Sequence, residues 1–357
     1  MTMAAALDEP APAPANLAIP LDRVLARLLE GLAPLPPRRV PLAEAEGAVL
    51  AAPLLVPSPV PAAAIALRRG YAVASADTQG AGPYSPLPLP GLPALVGPGQ
   101  ALPDGADAVL PDDAVLIVGR GAEAQESATP GQWVRRIGED APAGAILRQA
   151  GEVLRATALA LAQAAGISHC EIRRPRILMT GLGSPAARLI SALARSAGAA
   201  QTNSLADADL VFAVGEPSDA LGAHLGREAL VVARRLALRP AEDGAVLRLG
   251  RMPVLLAPDR MADALALWLA LALPVVRALA GASPPLSEVR SVTRKISSSV
   301  GLSELVLLRT TGRRFEPLGT GDLPLTAIGL AEAWAIMRPE SEGLAAGEEI
   351  EAELFPA

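Results

Sequence analysis

The stretch RRIGEDAPAGAILRQAG, residues 135–151, is the part of the chain in which charge, glycine and a restarting apolar pattern occur together. Within it, Glu139 and Asp140 place two adjacent carboxylates on a turn. Residues 141–144 keep the chain irregular, and an amphipathic run begins at Ile146. Acidic side chains on a loop ahead of such an element can point at a ligand. The alternative is that both carboxylates are solvated turn residues that favour the start of a helix.

Composition excludes several classes of protein. The chain has 357 residues, of which 51% are hydrophobic, 19% charged and 2% aromatic. Because single cores rarely grow beyond ~250–300 residues, we expect two or three cores, built mainly from aliphatic side chains. A net charge of −6 without a basic tract argues against a nucleic-acid surface. A single cysteine and two histidines far apart in sequence offer no disulfide framework or zinc spacing, which fits a reducing, cytoplasmic compartment.

Two segments bear on membranes and targeting. Residues 1–20 are rich in Ala and Pro and lack a positively charged region ahead of an apolar core, so we interpret them as a flexible leader and not as a signal peptide. The most apolar run, residues 264–276, is shorter than a span of ~20 residues and contains Pro274. We interpret this run as a buried helix and expect no membrane partner.

The pattern of apolar residues, glycines and prolines divides the rest of the chain. Helical spacing predicts a helix over residues 21–32, and residues 151–166 have the same pattern. Short apolar stretches cut by Gly and Pro predict β structure over residues 65–118 and again after the prolines at 284–285. We therefore place a linker domain at residues 21–50 and 138–172, a β domain at 51–137, an α/β domain at 173–284 and a C-terminal β domain at 285–357.

Strands alternate with helices in the predicted α/β domain. ILMTG at residues 177–181 and DADLVFAVG at residues 207–215 have the pattern of buried strands, and helical sequence follows each of them. Two more strands are expected at residues 229–233 and 253–257, before a helix over residues 260–272. Such alternation implies a parallel sheet that binds any ligand at the carboxyl ends of its strands.

Five fragments of the chain match the signature motifs of one family, in the right order. LAEAEGAVLAAPL at residues 42–54 is similar to L-x-E-A-x-G-R-V-L-A-x-D-V, and GYAV at Gly70–Val73 to the end of S-A-M-D-G-Y-A-V. LPDGADAVLPDD at residues 102–113 is similar to T-G-A-x-L-P-x-G-A-D-A-V-V-x-x-E. Residues 135–151 match R-x-x-G-E-D-x-x-x-G-x-x-L-x-x-G, and RRPRILMTG at residues 173–181 resembles R-x-P-x-V-x-x-x-x-T-G. On these motifs the chain resembles the MoeA/gephyrin E-domain family over nearly its whole length.

The resemblance implies an elongated dimer whose site lies between the α/β domain of one subunit and the β domain of the other. Family members insert molybdate into adenylylated molybdopterin, which requires donors for phosphate, acids for Mg²⁺ and cations for the oxyanion. The resemblance assigns catalysis to Asp140 and Glu139, and Mg²⁺ binding to Asp140 and Asp209. It assigns the pterin pocket to Thr180, Gly181, Gly215 and Ser218, and the molybdate oxyanion to Arg68, Arg69 or Arg239.

The departures from the family pattern fall on the chemistry. Arg69 stands where the family has the acid before Gly-Tyr-Ala, a charge reversal that changes the interaction with a nearby Mg²⁺ by about a few kcal/mol. Leu, Gly and Ser at residues 182–184 replace Asp-Glu-Leu. The nearest matches to P-G-K-P and L-P-G-N-P are LRPAED at residues 238–243 and LAPDR at residues 256–260, neither with a lysine.

Three further residues keep alternative interpretations. Asp107, which matches the family motif, either caps its own turn or touches a ligand. Arg239 and Arg260 could replace the missing lysine at an anion, although the bidentate fork of arginine is not a geometric copy of an ammonium group.

Two hypotheses about function stay open. One is a divergent molybdopterin molybdenumtransferase that uses Mg²⁺, molybdopterin and molybdate. The other is a catalytically degenerate relative that carries molybdenum cofactor, or that binds a molybdoenzyme or a cofactor-synthesis protein. Both describe a cytoplasmic homodimer of molybdenum-cofactor synthesis or handling. A general nucleotide binder is a third interpretation, but the glycine loops match neither a P-loop nor G-x-G-x-x-G.

Overall fold

The structure, a computed structural model, describes residues 18–355, so residues 1–17 of the predicted leader lie outside it. At its centre is a six-stranded sheet with helices packed on it. The strand order is Ala200–Thr202, Arg176–Thr180, Leu210–Val214, Met252–Ala257, Ala245–Leu249 and Leu230–Ala233. The first four strands are parallel, Ala245–Leu249 pairs antiparallel with Met252–Ala257, and Leu230–Ala233 pairs antiparallel with Ala245–Leu249.

The sheet is therefore mixed, and the prediction of a parallel sheet was wrong at this edge. The strands Ala245–Leu249 and Met252–Ala257 are joined by two residues, of which Gly250 has a φ of 60°. A two-residue connection can join only antiparallel neighbours, because parallel strands need a long crossover. The pattern analysis missed Ala245–Leu249 because Arg248 interrupts its apolar run.

Three helical segments pack on the central sheet, namely Pro185–Ser196, Asp219–Glu228 and the long segment Met261–Ala280. The long segment consists of Met261–Leu267, a π-helical turn at Trp268–Ala272, and Leu273–Ala280. It passes Pro274, where we expected helix to have ended, because the wider π turn accommodates the missing backbone donor. Trp268 packs edge-on against Phe212 of the sheet, with 5.9 Å between ring centroids.

The segment Met261–Ala280 is long and apolar enough to cross a membrane by length and composition, yet 83% of its most apolar window is buried inside the protein. A core helix passes the same test as a membrane span. It packs between the central sheet and the first helix, Leu21–Leu29, which buries Val24 and Leu28 in the same core. The predicted buried helix is thus present, and it is longer than expected.

A second, smaller core is formed by segments that lie between the first helix and the α/β sheet in the sequence. Its strands are Arg38–Pro41, Val49–Leu50, Leu54–Leu55, Ile146–Arg148 and His169–Arg173, with a 3-10 turn at Leu42–Glu44 and a helix at Ala156–Ala164. Ile146 and Leu147, which begin the amphipathic run of the sequence analysis, lie in a strand that pairs with Leu54–Leu55. Pairing across nearly a hundred residues outweighed the local helical pattern, and the helix begins only at Ala156.

The β domain contains three small sheets. Their strands are Ile65–Ala66 with Val134–Arg135, then Ala94–Val96, Gly70–Val73 and Ala108–Leu110, and finally Leu87–Pro88, Gly121–Ala124 and Val115–Val118. Two 3-10 turns, Ser75–Thr78 and Asp112–Ala114, join them. Small apolar side chains fill two modest cores, as expected from a sequence so poor in aromatic residues.

The C-terminal strands close on themselves. Ser303–Thr311 pairs with Arg314–Thr320 on one side and with Ala333–Met337 on the other, and Ser287–Val292 and Glu349–Leu354 complete a five-stranded barrel. A two-stranded ribbon, Ile296–Ser297 with Gly343–Leu344, and the helix Leu325–Leu330 lie beside it. Closure removes the exposed edges that an open sheet would leave.

Backbone and side chains join the barrel to the α/β domain. The short strand Leu238–Arg239 pairs in parallel with Ser303 and Glu304 of the barrel. Arg277 of the long helix donates to both carboxylate oxygens of Glu353, and both side chains are mostly buried. The two units therefore share one continuous hydrogen-bonded boundary.

Candidate functional site

Three parallel strands of the central sheet end at the same edge. Thr180 lies opposite Ala213, and Val214 lies opposite Ala257, so the strands beginning at Arg176, Leu210 and Met252 reach their carboxyl ends together. Parallel sheets bind ligands in the crevice outside this edge. We call the residues just beyond the three strand ends, residues 180–184, 215–218 and 258–260, the carboxyl edge.

Glycine is required at the first turn of the carboxyl edge. Gly181 has a φ of 76°, and a Cβ atom there would lie 2.3 Å from the carbonyl oxygen of Val214. Gly215 has a φ of 74°, and its N–H donates to the carbonyl of Ala257 at 2.9 Å. A left-handed conformation and a close backbone approach both favour glycine. The chain thus turns tightly around the strand ends without side chains covering them.

Thr180 has a buried hydroxyl that none of residues 18–355 satisfies. Its Oγ1 atom is inaccessible to solvent and has no hydrogen-bond partner there. Buried polar atoms almost always have a partner, so such an orphan calls for an explanation. Thr180 is the last residue of its strand and precedes Gly181, so its unsatisfied hydroxyl lies at the carboxyl edge.

Two helices begin at the carboxyl edge, and a serine caps each of them. The Oγ of Ser184 accepts from the N–H of Ala186 at 3.0 Å, and the Oγ of Ser218 accepts from the N–H of Leu221 at 3.4 Å. The amino terminus of a helix carries partial positive charge and free N–H groups, and is a common anion site. The edge therefore suits a phosphorylated ligand.

Sequence reasoning missed two residues at this edge. Asp259 accepts a hydrogen bond from the Oγ of Ser184, and Arg188 donates to the carbonyl of Leu182 at 3.2 Å. Together they pin the loop that follows Thr180. Asp259 follows the strand Met252–Ala257 by two residues, a position that could have marked it as a carboxyl-edge residue. We had considered that segment only as a reduced form of L-P-G-N-P.

The acidic turn at Glu139 and Asp140, just after the β domain, satisfies its own polar groups. The Oε2 atom of Glu139 accepts from the N–H of Arg136 at 2.7 Å, and Asp140 forms an ion pair with Arg135. The N–H of Asp140 donates to the carbonyl of Val60 at 3.0 Å. Both acidic side chains are exposed. This is the geometry of the solvated-turn alternative, although the element that follows is a strand and not a helix.

The neighbouring arginines of the β domain also have partners. The Nε of Arg69 lies 2.9 Å from Asp112, and both side chains are largely exposed. The guanidinium of Arg68 lies over the ring of Trp133, with 5.1 Å between its carbon and the ring centroid. The charge at the position of the family's acid is thus positive and partly compensated.

Arg239 and Arg260 line a cavity of about 200 Å³ between the α/β domain and the barrel. Arg239 contacts Glu242 at 3.0 Å and the nearly buried Glu304 at 3.4 Å, so its charge is already compensated. Burial raises the pKa of Asp263 in the same cavity, while the nearby Arg260 and a hydrogen bond from the backbone of Ala241 oppose that rise. Arg239 thus links the α/β domain to Glu304 of the barrel.

Two predicted acids lie away from the carboxyl edge. Asp209 precedes its strand, at the opposite edge of the sheet, and accepts from the N–H of Arg176 at 2.8 Å. Asp107 accepts from the N–H and the hydroxyl of Ser75, at 2.6 and 2.8 Å. Asp107 thus binds the turn Ser75–Thr78, 32 residues earlier in the sequence, and not its own turn.

The donor set allows a test of the implied Mg²⁺. Within residues 18–355, Asp, Glu, His and Cys side chains form no group of three or more that could hold a metal ion. The carboxylates of Asp140 and Asp209 each bind a partner of their own. Mg²⁺ requires near-octahedral oxygen ligands, so these residues of one chain do not fit the ion by themselves. We therefore assign no catalytic step to Mg²⁺.

The structure brings four of the predicted residues together at one edge, namely Thr180, Gly181, Gly215 and Ser218. Arg69 lies in the β domain, and Glu139 and Asp140 lie just after it, at the start of the second linker segment. Among residues 18–355, no hydrogen bond or ion pair links these three to the carboxyl edge of the same chain.

Comparisons of sequence and of structure both find similarity to proteins of molybdopterin biosynthesis. The model of the MoeA N-terminal region (domain I and II) matches residues 19–166. Molybdopterin molybdenumtransferase 2 of Mycobacterium tuberculosis, in strains CDC 1551 / Oshkosh and ATCC 25618 / H37Rv, is 27% identical, and the alignment covers 78% of this chain and 84% of that protein.

Solved structures share the fold. The molybdopterin biosynthesis MoeA protein from Pyrococcus horikosii superposes with a TM-score of 0.72 at 21% identity, over 96% of this chain and 100% of its own. The molybdenum cofactor biosynthesis protein from Pyrococcus furiosus gives a TM-score of 0.56 at 16% identity, over 95% and 100%. The regional match and the curated relatives make the chain similar to MoeA proteins, and the solved MoeA structures share its fold.

Proposed function

We propose that this protein acts in molybdenum-cofactor synthesis or handling, as a cytoplasmic homodimer that binds a phosphorylated pterin at its carboxyl edge. The relatives that carry the name molybdopterin molybdenumtransferase support this assignment. The observation that carries it is the orphan hydroxyl of Thr180 beside Gly181, at the edge where two capped helices begin.

Each part of the carboxyl edge would serve a different part of the ligand. The Thr180 hydroxyl can donate to a phosphate or pterin oxygen and so gain the partner that it lacks. Gly181 and Gly215 let the ligand approach the backbone, since no Cβ atom stands in the way. The amino termini of the helices that begin after Ser184 and Ser218 add partial positive charge, which attracts an anion.

The acidic turn decides between the two forms of this function. As a molybdenumtransferase, the protein would need the carboxylates of Glu139 and Asp140, supplied by the partner subunit, at the bound pterin. As a carrier or assembly factor, it would need pterin binding alone. Two contacts favour the carrier: Asp140 is engaged by Arg135, and Arg69 replaces an acid and pairs with Asp112.

The experiment is to incubate the purified protein with adenylylated molybdopterin and molybdate, with and without Mg²⁺, and to measure released AMP together with the pterin retained after gel filtration. Mg²⁺-dependent AMP release that is lost in Asp140→Ala identifies the enzyme. Retained pterin without AMP release identifies the carrier. The absence of both signals from a folded dimer would overturn the proposed function.

Matched variants locate the binding site. Thr180→Val removes the orphan hydroxyl and keeps the branched shape, and we expect it to lower pterin affinity about tenfold, the loss of one good hydrogen bond. Ser298→Ala removes another buried hydroxyl without a partner among the described residues, in the C-terminal region, and should leave affinity unchanged. Equal effects of the two changes would place the pterin elsewhere.

A further inference from the structure

The hairpin of the β domain ends in an unusual edge strand. Val115–Val118 pairs with Gly121–Ala124 on one side, and on its other side none of residues 18–355 forms a ladder with it. Leu116, Ile117 and Val118 are 48%, 46% and 50% exposed. Edge strands are normally protected by lysine, proline, a bulge or a covering segment, because their free backbone groups invite pairing. This strand has an apolar, unprotected edge.

We propose that Val115–Val118 pairs antiparallel with the same strand of a second copy of this chain. Self-pairing buries the apolar side chains of both copies and satisfies both rows of free backbone groups, as in other cases of strand addition. It is a contact between two β domains. It is therefore distinct from the contact between a β domain and an α/β domain that the family resemblance implies.

The direction of the free backbone groups limits which residues can face each other across the pair. The carbonyl of Ala114 accepts from the N–H of Gln125, so by alternation the backbone groups of Val115 and Ile117 point away from the hairpin. Two such edges can bond only where outward groups meet. The register in which Val115 of each copy bonds with Ile117 of the other meets this condition and sets Leu116 opposite Leu116, on the two-fold axis.

The charges around the strand are complementary to themselves. Asp113 precedes the strand, next to Asp112, which already pairs with Arg69, and Arg120 follows the strand in the hairpin turn. Antiparallel pairing brings the acidic start of one strand to the basic end of the other, twice in each pair. A parallel pairing would set like charges side by side. The charge pattern therefore selects a second copy in the antiparallel direction.

The first test is sedimentation velocity over a concentration series. We expect the wild type to show an association step that Ile117→Lys and Ile117→Pro each weaken at least tenfold, the proline because it removes an outward N–H group. Arg120→Glu should weaken the same step, and the double variant Asp113→Arg with Arg120→Glu should restore it. Identical association of the wild type and Ile117→Lys at every concentration would overturn the proposal.

The second test uses cysteine cross-linking, since the one native cysteine, Cys170, is buried. In the proposed register, a cysteine at position 116 faces its copy at a non-hydrogen-bonded pair, where Cα atoms lie about 4.5 Å apart, close enough for a disulfide. Leu116→Cys should form a covalent dimer with copper phenanthroline. Val118→Cys, equally exposed on the same strand, faces Ala114 and should not. Equal cross-linking of both variants would contradict this register.

Discussion

The carboxyl edge of the α/β domain and the acidic turn at Glu139 and Asp140 are both polar, but they use their polar groups differently. At the carboxyl edge, tight glycine turns and helix caps leave the hydroxyl of Thr180 unsatisfied. In the acidic turn, Glu139 and Asp140 are bound by the adjacent arginines and backbone. The first region keeps an unsatisfied buried polar atom, whereas the acidic side chains of the second have partners within the chain.

This difference explains which family features persist in so divergent a sequence. A tight turn made by backbone conformation needs only glycine and a capping side chain, so the surrounding side chains can change. A site made by side-chain charge fails when one residue reverses its sign, as at Arg69. We expect substitutions at the carboxyl edge to affect both folding and binding, and substitutions in the acidic turn to affect folding little.

The largest effect should come from Gly181→Ala. The added Cβ atom would meet the carbonyl of Val214 at 2.3 Å, at a φ that disfavours side chains, so we expect the free energy of unfolding to fall by about 3 kcal/mol or more in urea titration. Gly183→Ala, two residues along the same loop, has nothing within 4 Å of its Cβ and should change stability by less than ~0.5 kcal/mol. Similar losses in both would show that the loop is not held as described.

Ser184→Ala should have the next largest effect. It removes the cap of Pro185–Ser196 and the hydroxyl bound to Asp259, so we expect a loss of about 1–2 kcal/mol. Ser196→Ala, in the last turn of the same helix, bonds only to the helix carbonyl of Ala192 and is the matched control. Chemical denaturation of both variants measures the difference, and a control as costly as Ser184→Ala would rule out a special role for the cap.

A smaller effect should depend on pH. Burial raises the pKa of Asp263, so the folded protein binds the proton more tightly than the unfolded chain does. Its contribution to stability is full below the ordinary carboxyl pKa and is lost as pH rises through the raised value. The stability of Asp263→Asn relative to wild type should therefore increase from about pH 3 to neutral, measured by urea titration across that range. A constant or decreasing difference would contradict this assignment.

The smallest effect should come from Asp140→Asn. Its ion pair with Arg135 joins two side chains that are 43% and 37% exposed, and exposed pairs contribute about 0–1 kcal/mol. We expect thermal denaturation to show little change. If this variant loses more stability than Ser184→Ala, the contrast between the two regions fails.

Local sequence predicted the parts of the fold that local sequence controls. The apolar runs at Arg176–Thr180, Leu210–Val214 and Met252–Ala257 are buried strands, and their shared carboxyl edge followed from the rule for parallel sheets. Ile146–Arg148 was read as the start of an amphipathic run and not as a strand, because its partner, Leu54–Leu55, lies far away in sequence. The antiparallel edge of the sheet depended on a two-residue turn that the pattern did not reveal.

The same division applies to the candidate site. Thr180 and Gly181 could be named because they follow a recognisable strand. The bond between Ser184 and Asp259 spans 75 residues and could not be inferred from either neighbourhood. The pairing of Arg239 with Glu304 likewise required the barrel to be in place beside the α/β domain.

The parallel pairing of Leu238–Arg239 with Ser303 and Glu304 has a mechanical consequence. The N–H of Ser303 donates to the carbonyl of Ala237 at 2.9 Å, so the barrel and the α/β domain are joined by ladder hydrogen bonds and not by a linker. Hinge motion between them would have to break this ladder. We therefore expect the amide of Ser303 to exchange with solvent deuterium as slowly as core amides, and the cavity beside Arg239 to admit molecules by side-chain rearrangement.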